Sequence, residues 1–134
     1  LARHDGSPRL LLTTFPGEPH ALGLLMLEAL VASEGARCVS LGPQTPIDDI
    51  RAAVLAHRAQ IVALSFSAGF PLRQASEGLA RLRTQLPPAV ALWAGGELTQ
   101  RLRKLPAGVT LLPDLDGALD ALRGPRAQGV VADG

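Results

Sequence analysis

Residues 9–41 read RLLLTTFPGEPHALGLLMLEALVASEGARCVSL, and this stretch decides the fold. Arg9 to Thr14 is a short apolar run that Pro16-Gly17 stops. His20 to Glu34 carries a helical pattern that Gly35 ends, as a glycine past the last turn commonly does. Ala36 to Leu41 is a second short run, closed by Gly42-Pro43. A strand, a helix and a strand in so short a span make a β-α-β unit, whose two strands run parallel because the helix carries the chain back. The helix is apolar almost all round, which predicts burial on more than one side.

The same alternation continues outward. Thr45-Pro46-Ile47-Asp48 opens a helix that runs to about His57. Thr45 can cap it, Pro46 suits its first turn, and Asp48 and Asp49 complement its dipole. Ile61 to Phe66 is a third strand, and Leu72 to Leu86 a third helix stopped by Pro87-Pro88. Ala89 to Ala94 is a fourth strand stopped by Gly95-Gly96, Leu98 to Leu105 a short helix, Val109 to Leu112 a fifth strand and Asp114 to Arg123 a last helix. Short, uninterrupted apolar strands belong to a parallel sheet covered on both faces. The expected fold is therefore α/β: a flavodoxin-like (Rossmann-like), doubly wound, five-stranded parallel sheet in the order 2-1-3-4-5. It occupies residues 9–123, between a flexible start, 1–8, and a flexible tail, 124–134. Leu1 to Gly6 holds neither an initiator Met nor a signal-peptide pattern, and reads as the cut edge of a longer protein.

Composition removes several function classes. The chain has 134 residues, enough for one domain with a full core. Its 13 Lys and Arg against 12 Asp and Glu give a net charge of +1, too little field to steer nucleic acid or an anionic membrane. DNA binding would need a segment absent from this chain. The single Cys38 rules out an internal disulfide and a cysteine-rich zinc site, and fits a cytoplasmic setting. The longest apolar stretch, Ala21 to Ala32, is interrupted by Gly23 and Glu28 and falls short of the roughly 20 residues of a transmembrane helix. No Ser-His-Asp order, paired carboxylates or Cys nucleophile argues for catalysis, so a binding or sensor domain is expected rather than an enzyme. His57 reads as solvated surface, Trp93 as core and Cys38 as buried and inert.

Ligands of such sheets sit beyond the carboxyl ends of the strands, where the strand order reverses between β1 and β3. Three loops there hold polar or small residues: Gly17-Glu18-Pro19-His20-Ala21-Leu22-Gly23 after strand 1, Ser65 and Ser67 after strand 3, and Gly95-Gly96 after strand 4. Taken singly, each is an ordinary cap or turn. Together they say more. Glu18 and His20 are two apart, so the carboxylate reaches the imidazole, and a metal-bound His needs its other ring nitrogen held by such a partner. Gly23 and Gly95-Gly96 leave clearance for a bulky ligand. A bare zinc ion would need three or four clustered ligands, which these loops do not offer.

The constellation resembles that of cobalamin-binding domains, such as those of methionine synthase, corrinoid proteins and carbon-skeleton mutases. Their pattern is Asp-x-His-x-x-Gly, about 41 residues, Ser-x-Leu, about 26 to 28 residues, then Gly-Gly. Here Glu18-x-His20-x-x-Gly23 is followed by residues 24–64, Ser65-Phe66-Ser67, residues 68–94 and Gly95-Gly96. Two positions depart from the pattern: Glu18 stands for Asp, and Ser67 for Leu. The run Pro16 to Met26, with Leu41-Gly42-Pro43-Gln44-Thr45-Pro46, is most similar to the C-terminal domain of MerR-type light-sensing transcriptional regulators.

The resemblance implies that His20 displaces the cofactor's own base and binds cobalt as the lower axial ligand, with Glu18 orienting it. Ser65 would bond the displaced nucleotide tail or support the His–carboxylate relay, and Gly23, Gly95 and Gly96 would make room for that tail. Thr13, Thr14 and Ser67 are weaker candidates for the same pocket. The implied cofactor is cobalamin, as adenosylcobalamin or methylcobalamin, and the implied role a cobalamin sensor with an adenosylcobalamin-dependent light response. Any homo-oligomer is expected of the full-length protein. Two alternatives stand beside it: a corrinoid carrier or subunit of a cobalamin-dependent methyltransferase or mutase, and a haem-binding or cofactor-free interaction module.

Overall fold

The computed structural model describes residues 6–102 and 105–123; the expected tail and the first five residues of the expected flexible start lie outside them. The elements are β1 (Gly6–Thr13), α1 (Leu22–Ala32), β2 (Ala36–Ser40), α2 (Ile47–His57), β3 (Ile61–Ser65), α3 (Leu72–Gln85), β4 (Ala91–Gly95), a 3-10 helix (Glu97–Arg101), β5 (Val109–Leu112) and α4 (115–123). All strand pairs are parallel, and the sheet order is β2-β1-β3-β4-β5. This is the expected doubly wound sheet, with its reversal between β1 and β3.

Alternate strand residues feed two cores. Leu11, Val62, Leu64, Leu92 and Ala94 face α2 and α3. Leu10, Leu12, Ile61, Ala63 and Trp93 face α1 and α4. The sheet is thus sealed on both sides, which is why its strands read as apolar throughout rather than alternating. Trp93 is buried in the second core, as expected for it.

Boundaries differ where non-local pairing or a loop decides them. β1 begins at Gly6 rather than Arg9, because Gly6 pairs with Ala36 before the register shifts; apolar pattern does not report such a pairing. Thr45 does not cap α2. Pro46 occupies the cap position without a side-chain bond, and the Thr45 hydroxyl instead lies 2.6 Å from that of Thr13. The short helix expected to reach Leu105 is a 3-10 helix over Glu97–Arg101. Asp114 caps α4, accepting the Gly117 N–H at 2.7 Å, the usual service of Asp at that place.

α1 corrects one expectation. Leu24, Leu27 and Val31 are buried against the sheet, but Leu22, Leu25 and Met26 are exposed on its outer side. The sheet covers only one face of a helix that is apolar all round, so among the described residues the second covering surface is not supplied.

Candidate functional site

The loop after β1 is held from beneath. The Thr14 hydroxyl donates to the Glu18 carbonyl at 2.6 Å and accepts the Gln44 N–H at 2.8 Å. The Gln44 side chain in turn accepts the Gly17 N–H at 3.1 Å, and the Thr45 N–H donates to the Thr14 carbonyl at 2.9 Å. Gln44 holds this place with a left-handed backbone, φ 61°, a conformation that non-glycine residues adopt at some cost. The loop between β2 and α2 is therefore a brace for the loop that carries Glu18 and His20. The sequence assigns Gln44 no role of its own; it stands there only within the run Leu41 to Pro46 that carries the resemblance.

Glu18 is 1% exposed, and a buried carboxylate is tolerated only where donors surround it. They do. Its Oε1 accepts the Ser67 N–H. Its Oε2 accepts the Ser67 hydroxyl at 3.0 Å, His20 Nδ1–H at 2.9 Å and the His20 backbone N–H at 3.3 Å. Burial pushes the Glu18 carboxyl upward, but the bonds from the Ser67 N–H, the His20 ring, the Ser67 hydroxyl and the His20 N–H outweigh it and hold the group below its ordinary value. With the carboxylate as acceptor, Nδ1 carries the proton, and in the neutral ring Nε2 is the imidazole's open lone pair. The His20 side chain is 74% exposed, so that lone pair is presented outward from the strand-order reversal.

Beside it lies a cavity of about 280 Å³ between α1, α4 and the carboxyl ends of β3, β4 and β5. Gly23, Ser65, Gly95 and Gly96 all line it, with Leu112 and Ala118 on the far wall. A side chain at Gly23 would project into this groove: a Cβ there would stand 3.2 Å from Ser65 Oγ. Gly96 serves a different purpose. Its φ is +98°, and a Cβ would come within 2.2 Å of the Phe66 carbonyl oxygen. Two loops cross at that point, the Phe66 N–H donating to the Gly95 carbonyl at 2.9 Å.

Seven of the nine residues singled out by sequence thus form two adjoining groups: Glu18, His20 and Ser67 in a clamp, and Gly23, Ser65, Gly95 and Gly96 around a groove, while Thr14 braces the loop from beneath. Thr13 joins neither. It is fully buried, and its hydroxyl bonds the Gly42 carbonyl at 2.7 Å, under the bracing loop. The residue on the Glu18 carboxylate is Ser67, while Ser65 faces the groove. Among the described residues no three His, Cys, Asp or Glu side chains gather as a metal cage.

Comparison with known proteins gives a family match over nearly the whole fold. Residues 8–122 match the model of the B12 binding domain. The HTH-type transcriptional repressor CarH of Myxococcus xanthus is 38% identical over 85 residues, which is 63% of this chain and 28% of the repressor. A cobalamin-binding protein from Desulfitobacterium hafniense DCB-2 superposes with a TM-score of 0.68 at 19% identity, over 86% of this chain and 57% of that one. The Methanosarcina barkeri monomethylamine corrinoid protein gives 0.67 at 18% identity, over 90% of this chain and 60% of that one. The chain thus spans less than two thirds of each of these relatives.

Proposed function

Since the chain belongs to the B12-binding domain family, we propose that it is the cobalamin-sensing domain of a transcriptional regulator, with His20 as the lower axial ligand of cobalt. One observation carries the ligand assignment: buried Glu18 holds Nδ1 of an exposed imidazole, so Nε2 is free at the strand-order reversal. The groove supports the rest. At about 280 Å³ it is near the lower end of ligand pockets, roughly 300–1,000 Å³. That is room for an appendage such as a nucleotide base, and not for a corrin ring as well. The ring would therefore rest outside, over His20, while the displaced tail enters past Gly23 and Ser65. When bound, the cofactor supplies the cobalt–carbon chemistry; the chain's own residues bind, orient and bury.

The regulator reading is supported by the identity to the repressor and by the Glu-x-His form of the motif. A light response through adenosylcobalamin and a separate DNA-binding segment belong to the same proposal. No helix among the described residues is long and apolar enough to cross a membrane. The carrier reading has a neighbour in fold, the Methanosarcina barkeri monomethylamine corrinoid protein. At 18% identity that likeness speaks for fold alone.

The test is to mix the protein with hydroxocobalamin and adenosylcobalamin in the dark, desalt it, and record spectra with and without illumination, beside His20→Ala. Retained corrin with a His-ligated spectrum, lost in the variant, is the expected result. An unchanged spectrum in His20→Ala would sink the ligand assignment. Methyl transfer to the loaded protein by a methyltransferase, without any response to light, would favour the carrier.

A further inference from the structure

Resting on that reading of His20, we infer that Glu18 and Ser67 are a matched pair, and that Ser67 is a positioning residue for the cobalt ligand. The two positions at which the sequence departs from the cobalamin-binding pattern touch each other. Ser67 gives the Glu18 carboxylate both its N–H and its hydroxyl. These bonds come from the loop after β3, whereas His20 lies on the loop after β1. The carboxylate is therefore gripped between the two loops that meet at the reversal.

Chain length at position 18 matters because the backbone there cannot slide. Thr14 bonds the Glu18 carbonyl at 2.6 Å, the Glu18 N–H donates to the Phe15 carbonyl at 3.0 Å, and Gln44 fixes Thr14. An Asp on that backbone would draw its carboxylate back by about 1.5 Å, one carbon–carbon bond. It would then lose Ser67. A Leu at position 67 would keep the N–H but remove the hydroxyl, and would set an apolar side chain against a carboxylate that is 1% exposed. Each departure alone leaves a buried polar group short of a partner, which costs more than the bond itself is worth. Together they satisfy it.

The pair fixes where the imidazole points. Oε2 takes the Ser67 hydroxyl, the His20 ring and the His20 N–H at 3.0, 2.9 and 3.3 Å. Without the hydroxyl, Oε2 keeps only its two His20 donors and loses its one hold on the loop after β3, so the ring's tautomer and aim loosen. Loss of such an outer partner lowers metal affinity by roughly 10–100-fold.

The experiment uses Ser67→Leu, Ser67→Ala, Ser67→Thr, Glu18→Asp and the double variant Glu18→Asp/Ser67→Leu. Two readouts are taken: the His20 tautomer in cobalamin-free protein by nitrogen NMR, and the cobalamin dissociation constant with its His-ligated fraction. Ser67→Leu and Ser67→Ala are expected to mix the tautomers and to weaken binding about 10-fold or more, with Ser67→Thr restoring both. Glu18→Asp is expected to do likewise, and the double variant to lose less than the product of the single losses. Wild-type tautomer and affinity in Ser67→Ala, or single losses that simply multiply, would overturn the pairing. If His20→Ala keeps its corrin spectrum while the tautomer still follows Ser67, the ligand assignment fails and the pairing stands.

Discussion

Glu18 is the only buried carboxylate among the described residues, and its charge has consequences for the protein before any cofactor binds. Burial raises its pKa, but the Ser67 and His20 donors together lower it by more, so the folded value lies below the ordinary 4.5. A carboxyl depressed on folding stabilises the native state above its unfolded pKa, and that contribution is lost as pH falls through the folded value. Urea midpoints should therefore drop from about pH 4.5 downward, and Glu18→Gln should flatten that limb; an equally steep limb in the variant would mean that other groups set it. Cys38 behaves oppositely. Cys38 is half-buried rather than buried as expected, and that burial, then the charge of Glu28, push its thiol up to about 11 from 9.0. The neutral thiol is expected to react slowly with iodoacetamide at pH 8. Because the folded pKa is raised, its contribution is complete below 9.0 and disappears as pH climbs to about 11. Cys38→Ser should remove that alkaline step from a denaturation series, and rapid labelling at pH 8 would contradict the burial argument.

At the scale of elements, two glycines around one groove should respond in opposite directions. Gly96 stands at φ +98° with the Phe66 carbonyl where its Cβ would go. Gly96→Ala is expected to cost more than about 3 kcal/mol, from backbone strain and a clash with main chain. Gly23 lies inside α1, and its Cβ would meet only a hydroxyl that can rotate. Gly23→Ala should leave the cobalamin-free protein as stable or raise it by roughly 0.5–1 kcal/mol, while weakening cobalamin binding by filling the groove. Thermal melts and binding titrations of both variants separate the two roles; equal destabilisation would refute the division. This distinction was not legible in the sequence, where Gly23, Gly95 and Gly96 all read as clearance. The sheet was legible, because Leu10-Leu11-Leu12 and Ile61-Val62-Ala63-Leu64 are uninterrupted apolar runs. The clamp was half legible: a two-residue spacing joins Glu18 to His20, but no spacing says which serine of Ser65-Phe66-Ser67 turns back across the sheet edge. Nor does any local pattern report that Thr45 abandons its cap for Thr13, or that Gln44 braces a loop 27 positions before it in the chain.

For the whole molecule, the groove and the second core are continuous, and the fold carries its own reporter of that continuity. Trp93 is the single tryptophan, 2% exposed, and packs in the core that includes Leu24, Leu27, Leu112 and Ala118. Those four residues also line the groove. A cofactor tail lodged there would lie one side chain away from the indole, with the absorbing corrin ring at the sheet edge above. Energy transfer to the corrin should therefore quench Trp93 fluorescence as cobalamin is added, and saturation should report binding directly. Binding must also stabilise the fold by mass action, by about 2.7 kcal/mol when free cobalamin is 100 times its dissociation constant. For a domain of this size that is a rise in Tm of about 10 °C. Gly23→Leu, which blocks the groove without touching His20, separates tail from ring. If the tail supplies most of the affinity, quenching and the rise in Tm vanish together in Gly23→Leu. If both persist there but disappear in His20→Ala, the cobalt–imidazole bond is the dominant attachment. Corrin retained by the wild-type protein with undiminished tryptophan emission would place the cofactor away from this groove altogether.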